Sequence, residues 1–219
     1  MDHLDEPHVV TPDLVAPPRD GGYTKGQETR DMILRTALGL LIEEGYRGLT
    51  MRRVAAACAM KFGNLTYHYR TSQDLMRELL EAVICTYERE FDALMPRAGL
   101  APEERLARYC QLVLGDITTK KTTRLFPELW AMANHDAFVA ARMHELYARA
   151  RRPLIEIMAD MRPDLGGEEH EALALFISYS MEGATIFAGH DKPFTARMGC
   201  LKRISLAGFL AVVKSYARA

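Results

Sequence analysis

Residues 50–75 read TMRRVAAACAMKFGNLTYHYRTSQDL. The stretch divides into two short helices joined by a tight turn, with a third helix opening at once. Thr50 is a good N-cap for the first helix. Val54 and Cys58 recur at helical spacing, with the small Ala55 on the same side. Ala59 falls at the turn, where a small residue lets two helices cross closely. Leu65 and Tyr69, one turn apart, can hold the second helix onto the first. Lys61, Asn64, Tyr67 and His68 are left to project outward, and Arg52 and Arg53 lie near the start of the first helix. A compact helix pair with one polar, basic edge has the shape that enters a DNA major groove.

Outward from that stretch, GNLTYHYRTSQDL (63–75) resembles the signature G-[TN]-L-Y-x-H-F-x-[NS]-K-x-x-L of TetR-family transcriptional regulators. RDMILRTALGLLIEEGYRGLTMRRVAAAC (30–58) resembles that family's first helix, its Gly-Tyr turn and its Thr-led second helix. Three positions depart from the pattern. Thr66 stands where Tyr is usual, Ser72 where a phosphate-binding Lys is usual, and Ala59 where Gly is common. The resemblance implies an all-α fold of about nine helices. An N-terminal three-helix helix-turn-helix DNA-binding domain precedes a C-terminal helical domain for ligand binding and dimerisation. It implies DNA contacts from Thr50, Arg52, Lys61, Phe62, Gly63, Asn64, Thr66, Tyr67 and His68. Arg52 resembles a base reader, and Thr50, Tyr67 and His68 resemble phosphate contacts. Gly63 lets backbone approach DNA closely. Phe62 either touches a thymine methyl or packs under the turn.

The 219 residues are 48% hydrophobic, ample for a core, and the net charge of −1 hides a segregation. Residues 1–23 hold one Arg and five acids, residues 24–75 hold eight Lys or Arg and five acids, and the rest is neutral. A basic head on a neutral body is what DNA binding needs. Four cysteines (Cys58, Cys85, Cys110, Cys200) lie far apart in apolar helical patterns without metal spacing, so buried free thiols in a reducing cytoplasm are expected. The N-terminus lacks the basic and apolar regions of a signal peptide. No apolar run approaches the ~20 residues needed to span a bilayer.

The organisation expected is a flexible acidic tail over 1–23, which carries four prolines, a DNA-binding domain over 24–70, and a ligand-binding and dimerisation domain over 71–219. Thr24 with Gln27, and Thr71 with Asp74, have the spacing of capping boxes. The first opens a helix to about Glu44 with a stripe of Ile33, Leu34, Ala37, Leu38 and Leu41, ended by Gly45. The second opens a long helix to about Met95. Pro96, Gly99 and Pro102 then break the chain. Further helices are expected from Pro102 to Thr118, then a short one with Pro127 near its first turn ending by Asn134. Another runs from Asp136 to Met161 with Pro153 inside it, and the last two run from Gly167 to Ala188 and from Thr195 to Tyr216.

Tyr109, Phe126, Trp130, Asn134, Met143, Tyr147, Phe176 and Tyr179 are spread over the body helices. Each alone reads as core; together, given the resemblance, they are candidate walls and anchors for a small hydrophobic or aromatic effector. His135, Asp136, His144 and Glu145 do not make a metal site, because Asp136 looks like an N-cap and adjacent helical residues diverge. His170 and His190 are expected to face solvent. Small residues in the last two helices (Ala172, Ala174, Ser178, Ser180, Gly183, Ala184, Ala188; Ala207, Gly208, Ala211) permit close helix contact, suited to a homodimer. No cofactor is implied. No nucleophile with its base, no glycine-rich phosphate loop and no coupled carboxylate pair points to an enzyme. The expected function is a ligand-responsive repressor on a palindromic double-stranded DNA operator. The rival is a DNA-binding adaptor of the same fold that works through a protein partner.

Overall fold

The computed structural model describes Leu14, residues 24–94 and residues 99–217. The described residues hold ten α-helical segments and no strand: α1 (Thr24–Glu44), α2 (Met51–Ala57), α3 (Phe62–His68), α4 (Ser72–Leu94), α5 (Pro102–Asp116), α6 (Lys120–Ala133), α7 (Ala137–Met161), α8 (Gly167–Glu182), α9 (Ala184–Ala188) and α10 (Met198–Ser215). Short 3₁₀ turns cover Tyr46–Gly48 and Thr195–Arg197. α8 and α9 meet end to end at Gly183; counted as one interrupted helix, they bring the number to nine. The fold class is the all-α one expected. The acidic tail lies outside the described residues apart from Leu14, which is buried, and so do Met95, Pro96 and the side chain of Thr24.

By packing, the described residues form two compact units, one from Leu14, 24–90 and 124–146, the other from 91–94, 99–123 and 147–217. In the first, the α1 stripe of Ile33, Leu34, Ala37, Leu38 and Leu41 is buried, as are Val54 and Ala55 of α2, Leu65 of α3 and Tyr69 just beyond it. Each fully buried Leu or Ile contributes about 1.5–3 kcal/mol, which short helices need, since a helix under ~12 residues is marginal by itself. Gly45 stops α1 in the left-handed conformation (φ 71°). The capping box at α4 is present in full: Thr71 N donates to Asp74 Oδ2 and Asp74 N to Thr71 Oγ1, both 3.0 Å. Arg30 of α1 and Glu78 of α4 form a buried ion pair, which ties those two helices in one register.

In the second unit α5, α8 and α10 pack around Leu106, Leu114, Leu154, Ile157, Ile177, Phe209 and Val213. Arg162 closes the C-terminus of α10, its Nη1 donating to the carbonyls of Val213 and Tyr216 at 2.8 Å. Asp164 steers the same guanidinium through a 2.6 Å bond from Nη2.

Several expectations change. α6 starts at Lys120, so Pro127 lies in its middle and not in the first turn. Thr119 moves the start forward: its Oγ1 accepts from Thr122 N at 3.2 Å, a cap hidden in a polar run. The helix expected to reach Ala188 breaks at Gly183, and α10 is preceded by a separate 3₁₀ turn. His170 is buried, its Nε2 donating to the Arg162 carbonyl at 2.9 Å. Only Cys110 is buried; Cys58 and Cys85 are partly exposed and Cys200 is exposed, and none of the four is in a disulfide.

Ala59 differs in kind. It is exposed and sits at φ 51°, so its role is backbone conformation and not close helix crossing. α2 ends in a Schellman motif, with Met60 N to Ala55 O at 2.9 Å and Ala59 N to Ala56 O at 3.0 Å. Left-handed backbone costs an L-residue roughly 1–2 kcal/mol, while glycine brings back some chain entropy. Ala59→Gly should therefore stabilise the protein by up to about 1 kcal/mol, raising the urea midpoint. A lower midpoint would show that the methyl packs usefully.

Candidate nucleic-acid interface

Between Gly45 and Gln73 the chain carries Arg47, Arg52, Arg53, Lys61 and Arg70 and no acidic residue. Arg47 lies in the 3₁₀ turn, Arg52 and Arg53 lie on α2, and Lys61 and Arg70 flank α3. Thr50 caps α2, its Oγ1 accepting from Arg53 N at 3.3 Å. Arg53 is turned back into an ion pair with Glu44, whereas Arg52 is exposed and makes no ion pair among the described residues. Leu65 on the inner face of α3 and Tyr69 at its C-cap are buried. That fixes the outer face: Lys61, Gly63 and Asn64 are exposed, Phe62 is half-exposed and Tyr67 is 86% exposed. Phe62 is thus half covered by the protein and half open to solvent. An aromatic as open as Tyr67 gains little from folding and suits an external surface.

The remaining positions are more constrained. His68 stands edge-on to Tyr67 with ring centroids 5.3 Å apart. Thr66 is partly buried and its Oγ1 donates to the Gly63 carbonyl at 3.1 Å, so this hydroxyl's proton is already used within the helix. A Cβ on Gly63 would meet nothing within 4 Å, so the protomer's own packing does not require glycine there. Thr50, Arg52, Lys61, Phe62, Gly63, Asn64, Tyr67 and His68 thus lie along α2 and α3 of one helix-turn-helix.

The eight residues expected around an effector are divided between the two units. In the first, Phe126 is buried against Tyr87 (centroids 5.3 Å) and touches Trp130 (6.2 Å), Met143 is buried and Asn134 is exposed. In the second, Tyr109 is buried and donates to the Ala150 carbonyl at 2.9 Å, and Tyr179 is exposed beside Phe176. Tyr147 leads to two groups missed in sequence. It hydrogen-bonds Glu182, whose carboxyl is pushed up to about 7 by burial and then by the nearby Asp116. Asp116 Oδ2 in turn accepts from Thr122 Oγ1 at 2.7 Å. A lone Glu at the end of a helix and an Asp 66 residues away give no joint signal in sequence. Asp136 caps α7, accepting from Phe138 N (2.9 Å) and Val139 N (3.3 Å). Among the described residues no group of His, Cys, Asp and Glu is placed to hold a metal ion.

Comparison with known proteins agrees with this geometry. The profile for bacterial regulatory proteins of the tetR family matches residues 33–79, and that for the C-terminal part of BetI-type transcriptional repressors matches residues 102–199. An uncharacterised HTH-type transcriptional regulator from the dhlA 5′ region of Xanthobacter autotrophicus is 32% identical over 165 residues, 73% of this chain and 77% of that one. The fold is shared with a putative transcriptional regulator from Saccharomonospora viridis solved with choline (TM-score 0.68, 18% identity, 86% of this chain and 96% of that one). It is shared as well with Salmonella enterica GusR (TM-score 0.67, 18% identity, 87% and 98%). The chain belongs to the TetR family of transcriptional regulators. It is a helix-turn-helix DNA-binding protein, and family and fold are those of regulators and not of enzymes. No helix of the described residues is long and apolar enough to cross a membrane.

The raised Glu182 carboxyl sets a pH dependence. Unfolded, it loses its proton near the ordinary 4.5; folded, it holds the proton to about 7. The native state binds more protons in that window, so this group's stabilisation is complete below 4.5 and lost as pH rises through about 7. The loss is at most about 3.5 kcal/mol. Glu182→Gln should flatten the fall in melting temperature across this window. An unchanged slope would show that Glu182 ionises as a solvated carboxylate.

Proposed function

We propose that this regulator is a repressor that binds a palindromic operator as a homodimer and is released by a small effector, acting in the cytoplasm. The observation that carries the DNA half is the outer face of α3, acid-free, open and held by a buried inner face. Arg52 reads a base edge. Thr50, Tyr67 and His68 grip phosphates, Lys61 and Asn64 add polar contacts, Phe62 meets a thymine methyl, and Gly63 leaves space for the duplex. Thr66 contributes through its methyl or by accepting a bond, since its hydroxyl proton is engaged.

Dimerisation is supported by the outer sides of α8 and α10. Leu175, Tyr179, Ile204 and Val212 are large, apolar and exposed there, beside the small Ala207, Gly208 and Ala211. Apolar exposure interleaved with small residues suits an isologous interface. Two heads then reach half-sites about 34–36 Å apart, or a multiple of that.

The effector reading rests on the second unit. Tyr109 and Tyr147 supply aromatic surface, and Glu182 with Asp116 supplies negative charge in a poorly hydrated setting. An apolar or aromatic cation satisfies both, and the structural relative from Saccharomonospora viridis holds choline. Phe126, Trp130, Asn134 and Met143 on the other unit, and Phe176 and Tyr179 on this one, remain effector candidates to be tested singly.

The experiment is selection of duplexes from a random pool, followed by titration. A palindrome is expected. Arg52→Ala should lose discrimination at one base pair by about 1–3 kcal/mol, while Tyr67→Ala weakens all duplexes alike. Gly208→Arg, where a Cβ meets nothing within 4 Å, should leave the protomer folded but monomeric in light scattering and weaken palindrome binding. Asymmetric selected sites, or a dimeric Gly208→Arg, would contradict this reading. Regulation through a protein partner would show as DNA affinity that no organic cation changes.

A further inference from the structure

α1 ends at Gly45, and the next residue, Tyr46, opens the 3₁₀ turn that leads into the helix-turn-helix. Its backbone N–H has no helical acceptor, as is usual for the first residue of such a turn. Within the same compact unit α6 supplies one. Tyr46 N donates to Glu128 Oε2 at 3.2 Å. The other carboxylate oxygen lies over Gly45, where an added Cβ would stand only 2.7 Å from it. One turn earlier on α6, Arg124 Nη1 meets Glu43 Oε2 at 3.4 Å. Two side chains four residues apart thus grip the end of α1 and the turn together.

The turn passes this anchoring onward through consecutive backbone bonds. Gly48 N donates to Gly45 O (3.0 Å), Leu49 N to Tyr46 O (3.1 Å) and Thr50 N to Gly48 O (3.0 Å). Thr50 is the N-cap of α2. The carboxylate on Tyr46 is therefore linked by an unbroken series of short bonds to the residue that starts the DNA-reading element. Phe126 and Trp130 lie two residues from Arg124 and Glu128, about 200° round a helix of 3.6 residues per turn. That side of α6 carries the ring contact to Tyr87 of α4. α6 thus has one side on the turn and the opposite side in an aromatic cluster.

We propose that Glu128 is a positioning residue for DNA recognition, assisted by Arg124, and that α6 sets the turn that orients the helix-turn-helix. Neither residue touches DNA. Each acts through the conformation of residues 45–50. Glycine suits position 45 because of its φ of 71°, and a side chain there would push the Glu128 carboxylate aside.

The test uses the full chain and a duplex selected by the parent protein from a random pool. Glu128→Ala should lose about tenfold affinity for that duplex, the scale of one charge-assisted hydrogen bond. It should also speed amide exchange at Tyr46 while leaving the urea midpoint near the parent's. Glu128→Gln, whose carboxamide oxygen still accepts a bond, should restore most of both. Arg124→Glu should weaken binding, and Arg124→Glu with Glu43→Arg should recover it. Parent-like affinity in Glu128→Ala with unchanged Tyr46 exchange would overturn the proposal. So would an affinity loss fully accounted for by the unfolded fraction, or failure of Glu128→Gln to rescue. Failure of the charge swap to recover binding would remove Arg124 from the account.

Discussion

Two buried side chains, Leu65 within one short helix and Tyr69 at its C-cap, determine what the visible side does. Both are at most 1% exposed, set against a core that holds Val54 and Ala55 of the preceding helix. A seven-residue helix does not persist in water through its own hydrogen bonds. Its stability comes from burying that inner face, and burial leaves one rotational setting. In that setting Lys61, Asn64 and Tyr67 point outward, and the exposed Phe62 goes with them. Moving either anchor to solvent would move every outward group as well.

Much of this was legible in sequence because it rests on spacing and local chemistry. The stripe from Ile33 to Leu41 repeats at helical period, and all five positions are buried. Thr71 and Asp74 form their box within four residues, without help from the rest of the fold. What escaped depends on distant partners or on backbone torsion. Thr119 starts α6 before the apolar pattern does, which moved Pro127 from the first turn to the middle. His170 looked solvated until the end of α7 presented it with a carbonyl. Ala59 carries no side-chain clue to its left-handed backbone. Glu182 and Asp116 become a pair only when α5 and α8 pack in the second unit, and nothing local announces that.

The two units use charge in opposite ways. Around α3 cations are left in water, where they meet phosphates at little desolvation cost. In the second unit a carboxyl is drawn out of water beside another, which raises its proton affinity and favours any cation that takes the proton's place. On the proposed reading an effector cation would act there, and it would shift an equilibrium only by its differential affinity for the two states. In the first unit the ties from α6 to the turn before α2, and from α1 to α4 through Arg30 and Glu78, hold the reading element at fixed points.

The outer face of α3, with the start of α2, is the surface we propose meets DNA. Amide hydrogen exchange on the full chain, free and saturated with its selected duplex, tests this most directly. The account predicts slowed exchange concentrated at residues 50–53 and 61–68, reversed by high salt as phosphate contacts are lost. Protection elsewhere, with residues 61–68 exchanging as in the free protein, would contradict it.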